Sequence, residues 1–149
     1  MKLYISKCGL KIVNNTENLK NPISFVQALL KFKSDIDYLI TSAFSDSMIF
    51  QKARDGSFQN FMKVQKLTPF FIAKYTDFEF QRGLKQVSPE ELDKRLSAIV
   101  DIFCCLEGRD AFIQQYGTYL AHRLLNKTCV SNEAEELMIK KIQVEVGHH

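Results

Sequence analysis

The chain has 149 residues, of which 46% are hydrophobic and 25% are charged. This composition excludes a disordered tail, a collagen-like repeat and a disulfide-rich mini-protein. Twenty basic and seventeen acidic side chains leave a formal net charge of +3. That excess is too small to predict binding to nucleic acid or to an anionic membrane surface.

Targeting and cysteine patterns favour an intracellular chain with reduced thiols. No apolar run reaches the roughly 18 to 20 residues of a membrane-spanning helix, and Lys2 and Lys7 interrupt any signal-like stretch at the start. The four cysteines are irregularly spaced and form no C-x-x-C pair, which argues against a zinc site or a disulfide framework. We therefore expect the protein in the cytoplasm, the nucleus or both.

Helix signals dominate the sequence and predict an all-α fold, because alternating runs of β-branched residues are almost absent. The first long helix is predicted to begin at Asn21-Pro22, where Asn21 can cap free N–H groups and proline loses no hydrogen bond. Its wide apolar face requires a partner in the fold. That face comprises Phe25, Val26, Leu29, Leu30, Ile36, Leu39 and Ile40.

Two further helices are predicted before residue 88. One begins near Ser45-Asp46 and contains Gly56, which weakens a helix by roughly 1 kcal/mol and suggests a break or kink. The next begins at Thr68-Pro69 and ends at Gly83 in a left-handed conformation. One short helix face cannot bury all the phenylalanines here, so some are expected to contact another part of a larger molecule. These residues are Phe70, Phe71, Phe78 and Phe80.

The segment Ser88-Pro89-Glu90-Glu91 is the clearest helix start. It predicts a capping box, in which the Ser88 hydroxyl accepts from the N–H of Glu91 and the Glu91 carboxylate accepts from the N–H of Ser88. The charge balance changes at the same place, from 13 basic and 7 acidic residues before Ser88 to 7 basic and 10 acidic residues after it. Together these features predict a boundary at residues 83–88 between two modules that pack together.

Three helices are predicted after this boundary. The first ends at Gly108, Asp110 caps the second, and Ser131 or Asn132 opens the third. Apolar spacing of three and four residues predicts which side chains pack in the interior. The residues expected to stiffen the fold are Phe25, Leu29, Leu39, Leu96, Phe103, Phe112, Tyr116 and Leu120.

No catalytic, metal-binding or cofactor-binding pattern is evident, and phosphate-binding glycine motifs are absent. Apart from the closing His148-His149, which fits either native sequence or a purification tag, His122 is the only histidine. A lone histidine is predicted to lie on the rim of its helix. Cys104-Cys105 diverge on a helix, and Cys104 is typical of a small core hydrophobe. The sequence thus predicts a protein that is not an enzyme and needs no cofactor.

Ordered motifs run from Asn21 to Gly147. In the first half they are Asn21-Pro22, Phe25-Val26, Leu29-Leu30, Phe58-Gln59-Asn60-Phe61 and Ile72-Ala73-Lys74-Tyr75-Thr76-Asp77, the last similar to PELLAKYCD. In the second half they are Gly108-Arg109-Asp110-Ala111-Phe112, Tyr116 and Leu120-Ala121-His122-Arg123-Leu124-Leu125, similar to KDVFxxxYxxxLAKRLL, and residues 131–147, similar to SDDAExxMIxKLKxECG. With these motifs the chain resembles the cullin family, the elongated scaffolds of multisubunit ubiquitin ligases.

The resemblance implies a position inside a longer scaffold. Residues 1–87 correspond to the end of the helical cullin-repeat stalk, and residues 88–149 to the start of the four-helix bundle. In the family, the substrate-receptor adaptor and the RING-box subunit bind outside this segment. The implied function is noncatalytic, a rigid link between the two ends of a cullin-RING ligase. The alternative is a truncated cullin-like helical binding module that acts without ligase assembly.

The resemblance also implies one contact site. Basic residues near the LAKRLL motif of cullins attract the acidic tail of the ubiquitin-conjugating enzyme. In this chain Arg123 and Lys127 would supply the positive charge, and His122, which replaces a lysine, would add to it only when protonated.

Overall fold

A computed structural model describes residues 1–147; the His148-His149 pair lies outside the described residues. Within this range the chain forms eight α-helices and one π-helical turn, with no strand, which confirms the all-α prediction. None of the described helices has the length and hydropathy needed to cross a membrane. The elements are α1 (Lys2–Val13), α2 (Thr16–Lys20), α3 (Pro22–Phe44), α4 (Met48–Met62), α5 (Thr68–Phe78), the π-helical turn (Glu79–Gly83), α6 (Pro89–Cys104), α7 (Arg109–Asn126) and α8 (Asn132–Val146).

Three predicted helix starts are confirmed by their capping hydrogen bonds. The N–H groups of Ile23 and Ser24 donate to Asn21 Oδ1 at 3.1 and 3.3 Å. The N–H of Glu91 donates to Ser88 Oγ at 3.2 Å, and Ser131 Oγ caps α8 in the same way. Only half of the expected capping box forms, because the Glu91 carboxylate instead accepts from Arg95 Nε at 3.0 Å.

Other predicted boundaries differ from those observed. The helix predicted to begin near Ser45-Asp46 begins at Met48, and Ser45 and Asp46 themselves adopt left-handed backbone conformations, with φ of 49° and 57°, after the end of α3. The helix that follows is continuous through Gly56. Gly83 does not adopt a left-handed conformation. Its lack of a side chain instead makes room for the Glu79 carboxylate, which lies against its Cα.

The turn between α6 and α7 also differs from the prediction. Helix α6 ends at Cys104, and Gly108 occupies the N-cap position of α7 rather than the end of the preceding helix. Asp110 lies in the first turn of α7, where its negative charge interacts favourably with the helix dipole, but its side chain does not cap the helix.

Helices α1 and α2 were not predicted. Helix α1 buries Ile5, Gly9 and Val13, spaced four residues apart, against α4. The approach is close because Gly9 lies directly against the ring of Phe61, where any side chain would overlap it. A stripe with glycine at its centre carries little apolar signal, so its helical face was not evident in the sequence.

The hydrophobic core is continuous across the predicted module boundary. It extends from Ile5 in α1 to Ile142 in α8. Helix α5 packs against both α3 and α7, and α6 packs against α8. Two contacts show that helices α5 and α7 run in the same direction. Pro69 lies near Gly108 at the starts of the helices, and Asp77 contacts Arg123 towards their ends.

Six of the eight predicted interior residues are buried; of the other two, Leu120 is half-buried and Leu39 is 39% exposed. Leu39 was wrongly placed because the apolar face of α3 is wider than the surface that the neighbouring helices cover. Among the phenylalanines expected to contact another part of a larger molecule, Phe70 is exposed, whereas Phe80 is fully buried.

Candidate functional site

The three residues proposed as a basic contact lie at the end of α7 in different environments. The side chains of His122 and Lys127 are exposed. Arg123, between them, is 1% exposed. The expectation that Arg123 offers positive charge to an acidic partner on the surface therefore needs correction, because only Lys127 and His122 of the three lie at the surface.

The Arg123 guanidinium is held by carboxylates from two other helices. Its Nε and Nη2 donate to the two carboxylate oxygens of Glu135 in α8 at 2.6 and 2.9 Å. Its Nη1 donates to Asp77 Oδ1 in α5 at 2.7 Å. This bidentate pairing uses the planar fork of arginine, which lysine cannot reproduce. One side chain of α7 thus connects α5, α7 and α8.

Aromatic rings enclose this ion pair. Arg123 Cζ lies 4.9 Å from the centroid of Phe80 and 5.6 Å from that of Tyr116. Burial disfavours the charged guanidinium, but the hydrogen bonds to Glu135 and Asp77 outweigh it, and the pKa of Arg123 lies above its usual value. Burial and the neighbouring Glu135 carboxylate raise the pKa of Tyr116. The arginine and the tyrosine therefore keep their protons at neutral pH, and the cluster has a structural role.

A sequence signal for the burial of Arg123 exists. Arg123 follows Phe112 by eleven residues and Tyr116 by seven, spacings that return to the same face of a helix. A charged residue in an apolar stripe predicts a buried ion pair. Its partners could not be predicted, because Asp77 lies 46 residues away and only the packing of α5 against α7 brings the two together.

A second polar cluster lies where α3, α4, α6 and α8 meet. Lys33 Nζ and Arg54 Nη1 both donate to the Asp37 carboxylate, at 3.0 and 2.9 Å. Nearby, the Cys104 thiol donates to Glu145 Oε2 at 3.3 Å. Burial and this hydrogen bond raise the pKa of the Cys104 thiol to about 12, so it remains protonated and a poor nucleophile at neutral pH.

The π-helical turn contains a buried carboxylate, that of Glu79. Glu79 is 5% exposed, and its carboxylate lies 3.7 Å from Arg95 Nη1. Burial raises the pKa of Glu79, while the charge of Arg95 and a hydrogen bond from Tyr75 oppose the shift without cancelling it.

Within residues 1–147, no group of three or more histidine, cysteine or acidic residues is arranged to hold a metal ion.

The fold and these contacts define a stack of packed helices, the architecture of an α-solenoid. A family model described as the Cullin alpha solenoid domain matches residues 1–149. The chain belongs to the cullin family.

Relatives support this assignment. The chain is 34% identical over 148 residues to Cullin-3B of Arabidopsis thaliana, covering 99% of the chain and 20% of that relative. It is 35% identical over 144 residues to Cullin-3 of Caenorhabditis elegans, covering 97% of the chain and 18% of the relative. Cullin-3 of Dictyostelium discoideum is 32% identical over 145 residues, with 97% and 19% covered. The chain thus spans about a fifth of the length of these relatives.

Proposed function

We propose that this chain is a noncatalytic segment of a cullin-RING ubiquitin ligase scaffold, which holds the substrate-receptor end and the RING end at a fixed separation. Residues 1–87 would end the cullin-repeat stalk, and residues 88–149 would begin the four-helix bundle. The observation that carries the proposal is the buried Arg123 cluster, which joins α5 of the first part to α7 and α8 of the second.

Stiffness is the physical basis of the proposed function. Stacked helices that share a continuous core bend little, and they hold two distant sites in a fixed relation. A fixed separation raises the effective concentration of a ubiquitin-loaded enzyme at its target. The buried ion pair lies across the junction between residues 1–87 and residues 88–149. It opposes bending there, because opening it would leave three charged groups without their partners.

The proposed partners follow from family membership. The rest of the scaffold would continue this segment, while the adaptor and the RING-box subunit would bind outside it. A ubiquitin-conjugating enzyme would contact the exposed Lys127 and His122 through its acidic tail. Assembly of this kind would occur in the cytoplasm or nucleus.

The test is purification of the tagged full-length gene product from its own cells. We expect a RING-box subunit to copurify, and the complex to transfer ubiquitin when activating and conjugating enzymes are added. A purified product without a RING-box subunit and without transfer would overturn the ligase proposal. The protein would then be the alternative, a helical binding module that acts without ligase assembly.

A further inference from the structure

A cavity of about 220 Å³ lies between the connection from α4 to α5 and the connection from α6 to α7. Three of the buried residues that line it are apolar, Met62, Pro69 and Leu106. Small-molecule sites have volumes of roughly 300–1,000 Å³, so this cavity is small for a ligand. Its size and apolar lining suit a single protruding side chain of another protein.

Three apolar side chains are exposed beside this cavity. Val64, Leu67 and Phe70 are 51%, 50% and 41% exposed, and each is the sequence neighbour of a residue that lines the cavity. Leu67 and Phe70, three residues apart at the start of α5, share one face of that helix. The surface therefore presents protruding apolar groups and an apolar cavity side by side, a combination typical of protein contact sites. We call this surface the α4–α5 patch.

Charged side chains of opposite sign flank the α4–α5 patch. Lys63 and Lys66 line the cavity from one connection, Glu107 lines it from the other, and Asp110 lies in the first turn of α7. All four are exposed, and none forms an ion pair within residues 1–147. Arg109, by contrast, donates through Nη2 to a carbonyl oxygen at the end of α6 at 2.7 Å. The patch thus has a basic side and an acidic side, with two charges on each.

We propose that the α4–α5 patch binds the same patch on a second copy of the chain, related to the first by a twofold axis. In such a contact, each residue of one copy meets a different residue of the other and the reverse, so the surface must be complementary to itself. The basic side of one copy faces the acidic side of the other, and exposed apolar side chains enter the neighbouring cavity.

The charge pattern favours a second copy over other partners. A partner with charges of a single sign would meet a like charge on one of the two sides of the patch. The patch includes none of the residues of the Arg123 cluster and does not involve Lys127. The proposed contact is therefore independent of ligase assembly and of the enzyme contact.

Sedimentation equilibrium of the 149-residue chain tests the proposal. A patch of this size should give a weak dimer, with a dissociation constant in the micromolar range. Leu67→Ser should weaken the dimer about tenfold, and serine is favoured at the N-cap position that Leu67 occupies. Leu3→Ser, on a side chain that is 82% exposed in α1, is the control and should leave dimerisation unchanged. A parent that is monomeric at about 0.5 mM, or equal loss in both variants, would overturn the proposal.

Charge reversal separates a twofold contact from association through another surface. Lys63→Glu with Lys66→Glu makes both sides of the patch acidic, and Glu107→Lys with Asp110→Lys makes both sides basic. Each double variant alone should lose the dimer, because like charges then face each other. An equimolar mixture of the two should form a dimer with one copy of each, since opposite charges again face each other on both sides.

A matched control shows that the position of the charges matters and not their sum. Lys2→Glu with Lys52→Glu gives the same net charge as the acidic double variant, at exposed positions outside the patch. This control should dimerise like the parent. Loss of the dimer in the control, a mixture that stays monomeric, or a double variant of the patch that dimerises alone would each contradict the proposed contact.

Discussion

Asp77 and Arg123 lie 46 positions apart in the sequence, yet Asp77 Oδ1 is 2.7 Å from Arg123 Nη1 at the ends of the parallel helices α5 and α7. Since the guanidinium also pairs with Glu135, one arginine neutralises charge from two other helices in the interior.

Arg123→Ala should therefore be strongly destabilising. It would leave the Asp77 and Glu135 carboxylates buried without a cation, a loss of about 3–5 kcal/mol in the free energy of unfolding. Urea denaturation followed by circular dichroism measures it. The exposed Arg82 serves as the control, because Arg82→Ala should change stability by less than about 0.5 kcal/mol. An equal effect of the two substitutions would mean that the buried cluster does not stabilise the junction.

Gly9 and Gly56 should respond to alanine in opposite directions. A methyl group at Gly9 would overlap the Phe61 ring, so Gly9→Ala should destabilise the protein by about 1–3 kcal/mol. At Gly56, inside α4, nothing lies within 4 Å of the added Cβ. Gly56→Ala should therefore stabilise the helix by about 0.5–1 kcal/mol. Thermal unfolding of both variants checks the pair, and a neutral Gly9→Ala would contradict the close packing of α1 on α4.

Leucine-to-alanine substitutions at Leu96 and at Leu39 together test how far the hydrophobic core extends. Leu96 is 0% exposed, so Leu96→Ala should cost about 2–5 kcal/mol. Leu39→Ala removes the same atoms from a side chain that is 39% exposed, and it should cost less than about 1 kcal/mol. Chemical denaturation of both variants measures the difference. Similar losses would place Leu39 in the interior, as the periodicity of α3 suggests.

Glu79→Gln should alter the pH dependence of stability. The folded protein holds the Glu79 proton more tightly than the unfolded chain, since the pKa of Glu79 is raised above 4.5. The stability due to this proton is fully present below that value and is lost as the pH rises through the raised pKa. Glutamine avoids the loss, so the Tm of the variant relative to the parent should be higher at about pH 7 than at about pH 4.

The exposed Glu90 provides the comparison for this pH dependence, because Glu90→Gln removes a carboxylate that is not buried. Its Tm relative to the parent should change less between the two pH values. If Glu79→Gln and Glu90→Gln behave alike, burial of Glu79 does not govern the stability of the π-helical turn.

Features that depend on a few neighbouring residues could be predicted from the sequence, and features that depend on distant contacts could not. The starts of three helices follow from Asn21, Ser88 and Ser131, whose side chains bond to N–H groups two or three positions away. In contrast, Gly9 indicates helix packing only once the position of Phe61 is known. The surface role expected for Arg123 was wrong for the same reason, since its partners belong to other helices.

The separation of Asp77 and Arg123 also has a consequence for synthesis on the ribosome. At about 5–20 residues per second, Arg123 is added roughly 2–9 seconds after Asp77, and Glu135 follows later still. Throughout that interval α5 presents the Asp77 carboxylate on the face that will later be buried, before its partner Arg123 has been added. Water must keep this face hydrated until α7 is complete, so the junction can close only after α7 and α8 have both been synthesised.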